Sequence, residues 1–595
     1  MSIIPLKKVT FLGLVAEKEK LLDTLQEMGC LELIPLTPEG ERVVQEGPSQ
    51  KAREALKFLL GCPQRRRQVR DRARFDAAEV ERQVRDLQLR LQSLEAERDF
   101  LTKRITDLKP WGDFAFPSLE EMGGQRLWFY VVPHGEMTKV EALPFPWEIV
   151  QKDQLCCYVV VVLEKEPAEM PVPRSHLGSK PRLELEQRLE EVELAIEDAQ
   201  AERAFLTRWC YLFAGSLSQL ENRAARIQAA GQTYHQDPVF ALQGWAPKEK
   251  VGELRDYAAK QGVMLQEADP DPADDPPTML RNPPSLAVGE NLVTFYMTPG
   301  YRTWDPSSVV FISFAVFFAM ILSDAGYAAL LGLGLLTLWK KMGRSDMGLR
   351  FRPLGVALVL ASIAYGILVG SYFGISPPSG SFLGKLKLID MSNTSLMMAI
   401  SVVVGGVHVV LANVMDAWRY GRGARALPSL GWACIVAGAL VLGAAMALKL
   451  GGLKQMAVAV MVTGVLLVVL FTGVGAKPLA RLMQGFLGLT KITGVFGDVL
   501  SYLRLFALGL ATSSLAVSFN DMAHQIHAAM PRIGIILALM VLVLGHAMNL
   551  VLGISSCVIH GLRLNVIEFF NWGLKEEGRL YQPFKRKEHG AWMHW

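Results

Sequence analysis

The chain has 595 residues, of which 51% are hydrophobic and 20% charged, and its mean hydropathy is +0.23. Residues 1–305 carry 39 Lys+Arg against 48 Asp+Glu, whereas residues 306–595 carry 23 against 10, within a net charge of +4. A carboxylate-poor, apolar second half excludes a single soluble globule, and bases set in short clusters between apolar runs argue against nucleic-acid binding.

Residues 1–36 read as strand, helix, strand: VTFLGLV is β-rich, AEKEKLLDTLQEMG is a helix ending at Gly29, and CLELIPL is a second strand. The apolar stretch in MSIIPLKKVTFLGLV is too short and interrupted for a signal peptide, which predicts that the first half stays in the cytosol. Seven cysteines (30, 62, 156, 157, 210, 434 and 557) form no CxxC pair and read as reduced thiols.

From about 76 to 108, Val84, Leu87, Leu91, Leu94, Arg98, Leu101, Ile105 and Leu108 step alternately by three and four. Leu185, Leu189, Val192, Ile196, Ala199, Arg203 and Leu206 do the same between about 182 and 208. Two such seams predict an antiparallel coiled coil or short bundle. Between them RLWFYVVPH and QLCCYVVVVLE read as strands, and FALQGWAPKEKVGELRDYAAKQGVMLQEA repeats the strand–helix–strand pattern.

The predicted fold is therefore an α+β soluble N-terminal half, two α/β lobes joined by an antiparallel coiled coil, followed by an all-α polytopic membrane domain. Residues 1–267 form the cytosolic dumbbell. Its proximal lobe takes 1–50 and 235–267, its rod about 51–110 and 180–234, and its distal lobe about 111–179. Residues 268–305, which include ADPDPADDPPT, are the linker. Residues 306–595 form the membrane domain with a cytosolic C-terminal tail.

About eight spans are expected, near 307–323, 325–339, 354–374, 395–416, 429–448, 455–475, 493–525 and 533–570, the last two long enough to require tilt. The first two share one apolar run split near Ser323, so seven is the rival count. KKMGRSDMGLRFR, DAWRYGRGARA, GAKPLARLMQG and the C-terminal KEEGRLYQPFKRKEHG are read as connecting or tail segments on the side of the N-terminus. Their bases put both termini in the cytosol.

Charge inside lipid is costly, so an intramembrane Arg is a functional candidate. Arg504 lies about ten residues, or about 15 Å, into an apolar helix. Asp498, about 120° off its face, is a poor intrahelical partner. Arg563 shares a face with His560 three residues earlier. A turn at Pro531 pairs the last two helices so that Arg504 faces Arg563. Glu568 and Asp498 are placed nearer the cytosolic end, so the charge count expects no carboxylate of this chain at that depth and looks to another subunit for one.

Asp324 reads either as a functional carboxylate or as a helix cap. His408 and His546 read as structural polar groups bonded to neighbouring helices, or as functional ones. Thr512, Ser555 and Ser556 could line an aqueous path or bond their own helix, and Asp498 and Glu568 are further lining candidates. No GxxxxGK[ST], GxGxxG after a strand or HExxH occurs, so neither an ATP-hydrolysing site nor a cofactor or metal is expected in this chain.

FGDVLSYLRLFALGLA, followed by a hairpin and GHAMNLVLGISSCVIHGLRLNVIEFF, resembles the last two helices of V/A-type rotary ATPase subunit I, the homologue of subunit a. PTMLRN (277–282), YMTPGYRTWDP (296–306), FFAMILSDAGY (317–327), GSYFG (370–374) and ALQGWAPKEKVGELR (241–255) also resemble that family's motifs.

The resemblance implies a stator with two ion half-channels against a rotating proteolipid ring. Each ring subunit would carry one carboxylate, and Arg504 would hold the passing carboxylate ionised. Arg563 matches the second arginine, and His560 stands where relatives have Gln or His. The implied partners are the proteolipid ring, peripheral stalk subunits, a central rotor cap subunit and the lipid bilayer, in a prokaryotic plasma membrane. The moved ion would be H⁺ or Na⁺. Thr512 and Gly553 depart from relatives that carry His and Glu there, which shifts ion entry towards hydroxyls and water. A secondary ion transporter with a cytosolic regulatory domain is the alternative, although no internal repeat is seen. A coiled-coil membrane scaffold without transport is the third reading.

Overall fold

The computed structural model describes residues 2–37, 47–114, 117, 120–178, 180–378, 380–421, 423–530 and 534–588. Chain contacts divide it into two compact units. The first comprises Met1–Val15, Cys30–Ile34 and His235–Pro583; the second comprises Ala16–Gly29, Pro35–Tyr234 and Phe584–Trp595.

The chain begins with β1 (Leu6–Leu14), α1 (Lys18–Met28) and β2 (Glu32–Ile34). Gly29 stops α1 in the left-handed region at φ 57°, and its N–H closes on the Leu25 carbonyl. Next come α2 (Gln50–Leu60) and α3 (Ala77–Leu108). The Asp76 carboxylate caps α3 by accepting from the N–H groups of Ala78 and Glu79.

After α3, β3 (Arg126–Pro133), α4 (Met137–Glu141), β4 (Trp147–Lys152) and β5 (Cys156–Leu163) make an α/β subdomain. Its antiparallel sheet has the order β3-β5-β4, and Tyr130, Val159 and Val161 are fully buried in it. The chain then returns through α5 (Arg182–Leu206) and α6 (Cys210–Gly231).

α3 and α5 are antiparallel. Arg188 reaches Glu97 at 2.8 Å and Arg90 reaches Glu202 at 3.5 Å, so sequence number falls on one helix as it rises on the other. Val84, Leu87, Leu91, Leu101, Val192, Ile196 and Ala199 are buried along the seam. Arg98 and Arg203 occupy seam positions, Arg98 pairing with Asp99 and Arg203 turning to α2, where it donates to the Phe58 carbonyl. At the end of the chain, Arg586 donates to the Gln26 carbonyl and Lys587 to Asn222, which straps residues 586–587 across α1 and α6.

The first unit resumes with β6 (Tyr234–Gln236), which begins at the unit boundary, then β7 (Val239–Pro247), α7 (Val251–Gln261) and β8 (Met264–Ala268). The sheet order is β2-β7-β1-β8, with β6 also on β7, and β1 pairs antiparallel with both β7 and β8. Alternation along β1 and β7 buries Val9, Phe11, Phe240 and Leu242. The expected linker contains α8 (Val288–Thr294) and β9 (Thr298–Pro299).

The apolar half then follows as α9 (Ser307–Leu322), α10 (Ala325–Met342), α11 (Asp346–Val369), α12 (Phe382–Lys385), α13 (Thr394–Arg419), α14 (Leu427–Ala447) and α15 (Gly451–Phe471). It ends with α16 (Pro478–Leu489), α17 (Ile492–Ser501), α18 (Leu503–Ala529), α19 (Gly534–Arg563), α20 (Phe570–Gly573) and β10 (Glu577–Gly578).

Among the described residues, six helical runs are long and apolar enough to cross a membrane: 346–369, 394–419, 424–447, 451–471, 478–529 and 534–573. They cover six of the eight expected spans. The other two form shorter or more polar helices. α9 is apolar but has only 16 residues, because Ser323 ends it at φ 51°; α10 has 18 and includes Lys340 and Lys341. The run 478–529 is not one straight rod: Thr490–Lys491 and Tyr502 separate α16, α17 and α18. GAKPLARLMQG, expected as a connecting segment, contributes most of α16.

α18 and α19 pair antiparallel. Gly545 lies against the Phe519 ring, and Asn549 donates to the Thr512 carbonyl at 2.9 Å. Pro531, where the sequence predicts the turn, lies outside the described residues. α14 and α15 are drawn together by Gly431, Gly438 and Gly464, where a Cβ would strike the facing backbone or Met461. All seven cysteines are free, and burial pushes the Cys210 thiol up to about 11.

Replacing Leu91, which is 5% exposed in the rod seam, with Ala should cost about 2–5 kcal/mol. Hydrogen exchange on the full chain should show faster exchange across 77–108 and 182–206 with the apolar half unaffected.

Candidate functional site: two arginines around one carboxylate

Arg504 lies in the first turn of α18, two residues after the break at Tyr502, and not deep inside an unbroken helix as expected. Two contacts hold the break. The Tyr502 ring fills the space beside Gly405, and its hydroxyl meets His408 Nδ1 at 2.8 Å and the Leu564 carbonyl at 3.5 Å. His408 stacks on Phe569 with ring centroids 4.3 Å apart and planes at 12°.

Arg563 ends α19, and residues Leu564–Phe569 form a π-helical turn. That turn overturns the expected charge count. In an α-helix Glu568, five residues after Arg563, would sit about 140° away. The i→i+5 bonding of a π turn brings it back towards the same face. The Glu568 carboxylate, with its side chain 3% exposed, therefore lies between the two arginines: Oε1 is 3.8 Å from Arg504 Nη1 and 3.9 Å from Arg563 Nε. A carboxylate of this chain does stand at the depth of Arg504.

Both distances exceed hydrogen-bond range, so these contacts are Coulombic only. Arg504 Nη1, Glu568 Oε2 and His560 Nδ1 are buried and have no hydrogen-bond partner among the described residues. His560 sits one turn before Arg563. The two guanidiniums and Glu568 sum to one positive charge, with the Asp498 charge near enough to act on Glu568, and the cluster has unused donor and acceptor capacity. Chemically, it can receive one more anion.

Asp498 is brought to the same region but to other partners: Oδ2 accepts from Trp572 Nε1 at 2.7 Å and from Asn571 Nδ2 at 3.2 Å. Asn565, in the π turn, accepts from Ser313 Oγ at 2.5 Å.

The other candidates lie apart from this cluster. Asp324 is 1% exposed and accepts four hydrogen bonds, from the N–H of Tyr327, Phe373 and Gly374 at 3.0 Å each and from Ser371 Oγ at 2.7 Å. It both caps α10 and fastens the loop after α11. His546 bridges Tyr327 (Nδ1 to hydroxyl, 2.7 Å) and Asn520 (Nε2 to Oδ1, 3.0 Å), while Asn549 donates to the Tyr327 hydroxyl at 3.0 Å. Thr512 is buried and donates to Leu508 O; Ser555 is exposed and donates to Val551 O. Ser556 is half-buried.

The sequence reading missed Tyr502 and Asp416. Asp416 is fully buried at the end of α13 and binds Lys575 Nζ and Ser429 Oγ at 2.5 Å each. A cleft of about 340 Å³, lined by Asn413, Trp432, Lys491, Trp572 and Lys575 among others, adjoins this pair. The available signals were an acid near the end of an apolar helix and a polar aromatic two residues before the Arg.

Comparisons with known proteins identify relatives. No family model matches the chain. It is 26% identical to the V-type ATP synthase subunit I of Chlamydia trachomatis over 98% of each chain. The A-type ATP synthase subunit I of Methanocaldococcus jannaschii is 27% identical over 64% of this chain and 60% of its own length. The V-type ATP synthase subunit I of Borreliella burgdorferi is 28% identical over 61% and 62%.

Asp324→Ala leaves four donors without their acceptor, at about 1–3 kcal/mol for each donor that stays dry. The expected result is a clear drop in the thermal midpoint of the detergent-solubilised chain, with Asp324→Asn falling between it and the wild type.

Proposed function

Because the chain is a homologue of the V/A-type ATP synthase subunits I, we propose that it is the membrane stator of a rotary ATPase or ATP synthase. It presents two ion half-channels to a rotating ring of carboxylate-bearing proteolipid subunits, anchors peripheral stalks and meets the central rotor cap through its N-terminal half. It couples H⁺ or Na⁺ movement to rotation. ATP is made or hydrolysed on other subunits. Both termini face the cytosol of a prokaryotic cell, as the basic segments before α11, after α13 and at the C-terminus favour.

The observation that carries this reading is the pair Arg504 and Arg563, which flank one carboxylate, Glu568, without hydrogen-bonding it. A guanidinium stays protonated at any physiological pH. A ring carboxylate arriving beside Arg504 has its pKa lowered by about 1–3 units and gives up its proton. It must be re-protonated before it re-enters lipid, because an ionised group there is costly. Arg504 thereby keeps the two half-channels apart. Glu568 sets the strength of the encounter: it offsets part of the arginine charge, so the incoming anion is not trapped by two unshielded cations. His560 supplies a polar group on the face of Arg563. Thr512, Ser555 and Ser556 stand as half-channel lining, with Asp498 at the cytosolic approach.

Arg504→Gln should abolish ATP-driven ion pumping in inverted membrane vesicles while the complex still assembles and hydrolyses ATP. Pumping at the wild-type rate would end the stator reading.

Glu568→Gln raises the net charge of the cluster by one. The expected outcome is slower pumping, by about ten-fold for each 1.4 kcal/mol of added grip on the ring carboxylate. Assembly should be retained and Arg504 should remain essential. The check is the initial rate of proton uptake in reconstituted complex.

A further inference from the structure

α16 is a helix that faces outward with its apolar side. Gly485 and Gly488 lie against Val468, Val469 and Thr472 at the end of α15, and the Arg481 guanidinium is laid over the Phe471 ring at 4.9 Å. On the opposite side Leu479, Leu482, Met483, Phe486 and Leu487 recur at i, i+3, i+4, i+7 and i+8, and their exposures run from 42% to 82%. At about 100° per residue they cover a continuous arc of about 140°. On α15, Leu466 and Leu470 are likewise exposed.

Twelve residues rise only about 18 Å, too short for a hydrocarbon core of about 30 Å, so α16 does not span on its own. Charge points the same way. Exposed Lys477 and Lys491 flank the helix, and no Asp or Glu occurs anywhere between Asp416 and Asp498. An exposed apolar stripe on a helix packed against a membrane-length apolar helix, bracketed by cations and free of carboxylates, matches an anionic lipid surface.

We propose that α16 lies in the headgroup layer of the bilayer, its Leu479–Leu487 stripe among the upper acyl carbons and Lys477 and Lys491 on anionic phospholipid headgroups. Glycines hold the helix against α15, so this lipid contact sets the height at which the run through α17 to Arg504 begins. The proposal is independent of what Arg504 does.

The test places a solvatochromic non-natural amino acid at Met483 of the full chain, reconstituted in nanodiscs of phosphatidylcholine with or without phosphatidylglycerol. The expected result is quenching by lipids brominated near the glycerol end of the acyl chain, with no quenching by aqueous iodide. In mixed discs, brominated phosphatidylglycerol should quench more strongly than brominated phosphatidylcholine at equal mole fraction. Lys477→Gln and Lys491→Gln should each reduce that ratio by up to about five-fold, towards one. Both lysines are exposed, so neither change threatens the fold. Quenching by iodide, quenching mainly by lipids brominated at the chain end, or protection from both, which would mean a protein partner or second copy covers the stripe, overturns the proposal. A wild-type ratio of one, or a ratio the lysine variants leave unchanged, overturns its anionic-lipid half.

Discussion

Two guanidinium groups cannot share a low-dielectric neighbourhood without a counter-charge, and much of the local structure at the end of the chain follows from that constraint. The π turn after Arg563 brings Glu568 between them. The break at Tyr502 puts Arg504 where the same carboxylate can reach it. The compensation is deliberately partial in its geometry: contacts of 3.8 and 3.9 Å attract without hydrogen-bonding, so both arginines keep donors to offer.

That partial balance distinguishes this cluster from Asp324, another deeply buried carboxylate of the apolar half. Asp324 accepts four hydrogen bonds, on both of its carboxylate oxygens. Groups satisfied in that way fix a fold. Groups left short of partners, as at Arg504, His560 and Glu568, are suited to a visitor.

Much of this organisation was legible in the residues. The three- and four-residue steps marked the rod, because an apolar seam imposes its own period. The Ser323–Asp324 break showed itself through a cap residue preceding an apolar run. The antiparallel setting of Arg504 against Arg563 followed from counting residues on either side of a turn. The errors arose where helix periodicity changes without a sequence marker. A π turn needs no proline or glycine, so Glu568 was placed nearer the cytosolic end and not between the arginines. The kink at Tyr502 depends on Gly405 and His408, about a hundred residues earlier, and no local pattern reports such a contact. α16 was read as a connecting segment because its short apolar stripe starts at a proline among glycines.

The Tyr502 hydroxyl touches both His408 of α13 and the Leu564 carbonyl at the start of the π turn, while the His408 ring rests on Phe569 at its end. The two discontinuities that carry the arginines are therefore fastened to one strut. A shift of the chain at Tyr502 is thereby felt at both ends of the π turn and in α13, so the backbones that carry the two cations are coupled through one aromatic stack.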